Sequence, residues 1–264
     1  MSADPFSPDP LSRARAKMIA DLDRGSARRE HGLFRIEGWR ALASAVQAGV
    51  TLEDIVVRMD ALNDGRLELL RSARANLIAS VRSKGMARLT SVLQDQGVVA
   101  TARIQLAPVA AIAGVHRILA MDGVQDPGNV GTLIRSAAWF GVEAVMAGGD
   151  TADFFNPKAV RASAGAIWDL ALVRMDDLPA GLAYMKGLGF SCFGADLSRA
   201  DDPNWRNAEK SILVLGSEGH GLSEAVKSQL DGVVHVSGRR RATSGVESLN
   251  VATAGSILIS RWAD

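Results

Sequence analysis

Three glycine-rich stretches carry the polar residues best placed to do chemistry: DGVQDPGNVG at 122–131, LGSEGHGLS at 215–223 and VSGRRRATSGVESLN at 236–250. Each follows an apolar run and leads into a helical pattern. In parallel α/β sheets, ligands bind outside the carboxyl ends of strands, where loop amides and helix N-termini point. The first stretch has no GK[ST] after four intervening residues and does not fit GxGxxG, which disfavours a nucleoside triphosphate. Asn129 is suited to cap the helix that follows. At ~100° per residue, Val130, Leu133, Ile134, Ala137, Ala138 and Gly141 share one face, and Arg135 falls on its flank. There it is either a solvated helix arginine or a cation held near the loop to face an anionic substrate. Glu218 is the carboxylate of the second stretch. In the third, Ser244 and Glu247 fit a capping box, which makes Glu247 structural and puts Ser248 and Asn250 in the first helical turn. The Ala-, Gly- and Ser-rich run NVATAGSILIS after it allows close packing.

Residues 1–10 hold three prolines and read as a flexible tail. LSRARAKMIADLDRG is helical, with Gly25 as its stop. Strand candidates LFRIEG, LEDIVVR, NLIASV and GVVATARI then alternate with the helical WRALASAVQAG, LNDGRLELLRSA and a weak helix through ARLTSVLQD. Residues 11–105 thus form one small α/β domain. Residues 106–115 read as a linker. In 116–264, strands RILAMDG, EAVMAGG, DLALVRM, SCFGAD, SILVLGSEG and GVVHVSG alternate with helices, the pattern of a mainly parallel sheet covered on both faces.

Hydrophobic residues make up 47% of the 264 residues and charged residues 22%, enough apolar material for packed cores. Residues 1–110 hold 16 Lys+Arg against 12 Asp+Glu, a balance of +4; residues 111–264 hold 14 against 17, a balance of −3. An N-terminal basic excess suits a module that captures nucleic acid, and it also lies within ordinary scatter. Cys192 is the only cysteine, which excludes an intrachain disulfide. The histidines show no metal-ligand spacing, so no metal is expected. With no apolar N-terminal run and no membrane-length apolar stretch, the expected location is the cytoplasm.

Taken in order, DPGNVGTLIRSAAWFG, LVLGSEGHGLS and ESLNVATAGSILI resemble the three signature motifs of the SpoU (TrmH-type) RNA 2′-O-ribose methyltransferases of the SPOUT superfamily. KAVRASAGAIWDLAL resembles the segment between the first two motifs, and the likeness spans about residues 116–262. REHGLFRIEGWRALASAV resembles the RNA-binding domain, with a small-ribosomal-protein fold, that precedes the catalytic domain in many members. The resemblance implies a trefoil-knot (SPOUT) catalytic domain, S-adenosylmethionine as methyl donor without a metal, and a homodimer with active sites at the interface. It assigns cofactor contacts to Leu215, Gly216, Val236, Ser248 and Leu249, and catalysis to Arg135 with Asn129, Glu218 and Asn250. The two-domain layout favours ribosomal over transfer RNA. One departure stands out: where the family has Ile-Pro-Met before the third motif, this chain has His235, Val236 and Ser237, followed by a longer insert. That insert holds Arg239, Arg240 and Arg241, the densest basic run, expected to be either an exposed loop or an RNA-backbone contact.

The chemistry implied is transfer of a methyl group from a sulfonium to a ribose 2′-OH, which needs alignment rather than a metal. A guanidinium is an awkward base because it holds its proton. Arg135 therefore either orients the ribose and activates its hydroxyl electrostatically, or acts as a base with its proton affinity depressed by a cationic site. The alternative expectation is an RNA-binding or ribosome-assembly protein that keeps the fold without catalysis; a base-nitrogen methyltransferase fits the superfamily but not these motifs.

Overall fold

The computed structural model describes residues 6, 10–90, 95–196, 202, 205–238 and 248–263. It divides into two compact units: Met1–Ile104 with Phe155–Trp168, and Gln105–Phe154 with Asp169–Asp264.

The first unit runs α1 (Arg13–Asp21), α2 (Gly25–His31), β1 (Leu33–Glu37), α3 (Trp39–Gln47), β2 (Leu52–Arg58), α4 (Asp64–Ser72), β3 (Ala75–Val81), α5 (Ser83–Met86) and β4 (Val98–Arg103). Its sheet has the order β1-β4-β2-β3, with β4 antiparallel to both neighbours and β2 parallel to β3. Gly25 does not stop the first helix as expected; α1 ends at Asp21 and Gly25 opens α2. The physical reason is Arg28, whose buried Nη1 donates to the carbonyls of Leu22 and Asp23 and closes α1 from the next helix. Gly32, at φ +62°, ends α2 in the left-handed conformation that glycine adopts freely. The weak helix expected through 87–95 is displaced: the helical turn lies earlier, at α5, and residues 91–94 of that expectation lie outside the described residues.

The helix Pro157–Ser163 and the 3-10 turn Ala166–Trp168 belong to this unit although they come from the middle of the chain. Phe155 lies 4.7 Å from Phe34 between ring centroids, and Trp168 lies 5.7 Å from Phe34. Arg161 forms an ion pair with Glu37 at the end of β1.

The second unit contains β5 (Arg117–Asp122), α6 (Pro127–Trp139), β6 (Ala144–Ala147), then, after α7 (the Pro157–Ser163 helix), β7 (Ala171–Arg174), α8 (Leu178–Gly187), β8 (Ser191–Ala195), β9 (Ser211–Gly216), α9 (Glu224–Lys227), β10 (Gly232–Val234) and α10 (Val251–Ala263). The sheet order is β10-β8-β9-β5-β6-β7, and every pairing is parallel. All of its carboxyl ends therefore lie on one side, where ligands bind in such sheets. Ile112, within the stretch read as a linker, is fully buried among Ile118, Val173 and Leu182. No described helix is long and apolar enough to cross a membrane.

Candidate active site

Two side chains, Asp122 and Thr151, hold the first loop. Asp122, at the end of β5, accepts from the Ser223 amide at 2.7 Å and so ties the first loop to the second. Thr151, buried, accepts from the Gly123 amide at 3.0 Å and donates to the Met121 carbonyl at 2.9 Å. Thr151 is fixed in turn by Arg174, which donates to the carbonyls of Gly149, Thr151 and Ala152. Burial holds that guanidinium below its ordinary value, against the pull of Asp153, Asp150 and Asp176.

The expected cap of α6 is corrected here. Asp126, not Asn129, is the N-cap; its Oδ1 accepts from the Asn129 amide at 3.0 Å. Pro127 explains the shift, because its fixed φ and missing N–H suit the first helical position. Asn129 is thereby released from capping. Its Nδ2 donates to Glu218 Oε1 at 2.7 Å, and its Oδ1 accepts from Asn250 Nδ2 at 3.2 Å. One amide therefore joins the three loops through side chains far apart in sequence.

The second loop closes on itself. Ser217 and Gly221 exchange both backbone hydrogen bonds, at 2.9 and 3.0 Å, and Ser217 Oγ accepts from the His220 amide. A Cβ on Gly216 would collide with the Gly221 carbonyl, so only glycine fits. The third loop is also corrected. Helix α10 begins at Val251, so Ser248 and Asn250 precede it rather than lying in its first turn. Asn250 Oδ1 accepts from the amides of Ala252 and Thr253, at 2.9 and 3.3 Å, and caps the helix. The expected Ser244–Glu247 box and Arg239, Arg240 and Arg241 lie outside the described residues. Small residues bring α10 onto α6 as the composition suggests: Ser136 and Ser256 hydroxyls meet at 2.7 Å, and a side chain on Gly255 would strike Leu133 and Leu215.

The second and third loops, with the ends of β8 and β10, line a half-open cavity of about 980 Å³. Leu215, Gly216, Val236, Ser248 and Leu249 all line it, as do Glu218 and Asn250. Leu222, Val234 and Leu258 add apolar wall, and Asp196, His220, Lys227, His235 and Ser237 add polar rim. The rim residues escape sequence reasoning because they come from separate strand ends, a loop and helix α9; only the polar pair His235 and Ser237, at positions where the resemblance has apolar residues, carries a signal. Asn129 stands just behind the rim, reaching it through its two hydrogen bonds.

Arg135 is exposed on α6, does not line the cavity, and forms no hydrogen bond or ion pair among the described residues. It shares an exposed stripe with Thr132 and Trp139, whose indole is 83% exposed.

Comparison with known proteins agrees with this geometry. Residues 116–260 match the model of the SpoU rRNA methylase family, and residues 13–100 match that of the MRM3-like substrate-binding domain. The chain belongs to the SpoU rRNA methylase family. It is 36% identical over 153 residues to the 23S rRNA guanosine 2′-O-methyltransferase RlmP of Bacillus subtilis, covering 58% of this chain and 60% of that protein. A tRNA/rRNA methyltransferase of Archaeoglobus fulgidus, itself uncharacterised, is 33% identical, with 65% of its length covered. The chain thus spans less than two thirds of these two relatives. Among solved structures, a TrmH-family protein from Porphyromonas gingivalis superposes with a TM-score of 0.78 at 30% identity, over 96% of this chain and 98% of that one. The SpoU methyltransferase AviRb of Streptomyces viridochromogenes, solved with S-adenosylmethionine, has a TM-score of 0.82 at 24% identity and shares the fold.

Proposed function

We propose that this protein is an S-adenosylmethionine-dependent RNA methyltransferase acting on a ribose 2′-OH, with ribosomal RNA as the substrate class. The observation that carries the reading is the convergence of all five expected cofactor residues on one cavity, with the Glu218–Asn129–Asn250 chain at its edge. The cavity suits the cofactor by size and chemistry. A volume of about 980 Å³ admits a nucleoside-sized ligand, apolar walls suit a purine face, and Glu218 and Asp196 offer negative charge to a cation. Support for ribosomal RNA comes from the match to the SpoU rRNA methylase family and from RlmP.

When bound, S-adenosylmethionine supplies a methyl group activated by a sulfonium. Leu215, Gly216, Val236, Ser248 and Leu249 would hold it and exclude water, so that the methyl group it supplies would meet the ribose oxygen, whose proton would leave to phosphate or water. Arg135 would orient the adjacent phosphate and stabilise negative charge growing on the oxygen. Asn129, tied to Glu218 and Asn250, fixes the rim against which the ribose sits.

The reading includes a homodimer whose sites are completed at the interface. Its support is Arg135 outside its own cavity, on the same helix face as the exposed Trp139. Trp139→Glu is expected to give a monomer by light scattering and to abolish methyl transfer.

The deciding experiment offers tritiated S-adenosylmethionine and deproteinised ribosomal RNA from a strain lacking the gene. Label is expected in 2′-O-methyl nucleosides. Arg135→Ala is expected to lower transfer by about 10² or more while cofactor affinity, by calorimetry, stays within twofold. Absence of cofactor binding would favour the non-catalytic alternative, and label on a base would sink the ribose assignment.

A further inference from the structure

The first unit carries a basic edge that no residue assignment above uses. Strands β1 and β2 both run antiparallel to β4, and β3 runs parallel to β2. The carboxyl ends of β1, β2 and β3 therefore share one edge, and the residues that follow them meet there. After β1 comes Arg40, after β2 comes Met59, and after β3 come Arg82 and Lys84. Arg40, Arg82 and Lys84 are exposed and form no ion pair among the described residues. Arg66, from α4, lies with its guanidinium carbon 4.8 Å from the Trp39 ring centroid and donates to the Ala61 carbonyl. The carboxylates nearest the end of β2, Asp60 and Asp95, both bind Arg58, at 2.6 and 2.7 Å, so they leave the other cations uncompensated.

The edge is rigid. The Gly38 amide donates to the Val98 carbonyl at 3.2 Å, and the Trp39 indole donates to the Gln96 carbonyl at 2.8 Å. The Arg58 amide donates to the Gly97 carbonyl at 2.8 Å. Gly38 sits at φ +92°, and a Cβ there would come within 2.8 Å of Gln96 Oε1. These bonds join the ends of β1, β4 and β2 into one platform.

We propose that this edge, through Arg40, Arg66, Arg82 and Lys84, is the surface on which the first unit grips the phosphate backbone of the substrate RNA. The proposal rests on the RNA substrate argued above and adds where that RNA is held. A polyanion fits better than a small anion because the sheet order separates the β1 and β3 ends by three strand spacings. That is ~14 Å, more than one phosphate can span. Exposed Met59, 55% accessible, adds apolar surface, and the Arg66 guanidinium lying over buried Trp39 adds a flat one, for an unstacked base.

The test uses the full chain and labelled, deproteinised ribosomal RNA. The triple variant Arg40→Ala, Arg82→Ala, Lys84→Ala is expected to bind it about tenfold or more weakly, and to reduce the slope of log affinity against log salt by about 2. KM for RNA rises, while kcat and cofactor affinity hold. Arg74→Ala, at the opposite edge of the same sheet, is expected to stay within about twofold of the parent. Unchanged affinity and slope in the triple variant would overturn the proposal. So would an equal loss in Arg74→Ala, or displacement of the RNA by polyglutamate at matched charge. Methyl transfer by the parent separates the two claims: transfer with an unaffected triple variant removes the edge alone, and no transfer with an edge-dependent affinity removes the enzyme alone.

Discussion

The two units build their interiors by different rules. The first buries charge: Arg28, Arg35 and Asp54 are all within its interior. Arg35 pairs with Asp23 and Glu37 and donates to the Leu89 carbonyl at 2.8 Å, and Asp54 accepts from Arg15 at 2.7 Å and Thr101 at 2.6 Å. The second, among its described residues, buries no charged side chain; its buried polar groups include the hydroxyls of Thr151 and Ser211 and the Cys192 thiol, and Ser211 accepts from the Trp262 indole at 2.9 Å. A small mixed sheet with short helices has less apolar area with which to hold its parts in register. Ion pairs that work in only one arrangement supply the missing specificity, at a desolvation cost. The parallel sheet, covered by apolar helices, needs none and is free to place its polar groups at the strand ends, where the cavity is.

Breaking the buried network should produce the largest effect. Arg35→Ala leaves Glu37 and three carbonyls short of a donor and is expected to cost the first unit about 3–5 kcal/mol. Denaturant unfolding followed by hydrogen exchange should show protection lost in β1 and β4 and kept in β5 and β9. Equal loss in both units would refute the contrast.

Phe155→Ala comes next. It removes a ring packed on Phe34 and should destabilise the first unit by about 3 kcal/mol, although residue 155 lies within the stretch of chain matched by the methylase family. Loss of protection in β6 instead of β1 would place that ring with the wrong core.

Gly216→Ala sharpens the other side of the comparison. The added Cβ meets backbone at Gly221 and must open the second loop. Cofactor affinity should fall about tenfold with little change in the first unit, as calorimetry and hydrogen exchange would report.

The smallest effect is at Cys192, where burial, reinforced by Asp231, pushes the thiol up to about 12. Its stabilising contribution is present below the unfolded thiol's ordinary value of 9.0 and is lost as pH rises toward 12. The parent should therefore lose ~0.4 kcal/mol more than Cys192→Ala between pH 7 and pH 9. Native protein should resist alkylation at pH 8; rapid labelling would contradict the burial.

Local rules explain which features are legible before folding. The flank position of Arg135 follows from 3.6-residue periodicity, and its exposure bears that out. The parallel sheet follows from alternation of apolar strands and helices. Asn129 shows where local rules end. Capping preference alone selects it, yet Pro127 starts the helix earlier and Asp126 takes the cap. Gly25 shows the same limit, because a buried arginine from the next helix ended α1 before the glycine was reached.

Chain order and side-chain type thus specify three loops after three strands, a flanking arginine and a basic first unit, since each rests on contacts within a few residues. The joining of Glu218, Asn129 and Asn250, separated by 89 and 121 residues, is of another kind. So is the packing of residues 155–168 with the first unit. Both depend on which strands are neighbours in the sheet and which apolar faces remain uncovered, and those are properties of packing that no local stretch encodes.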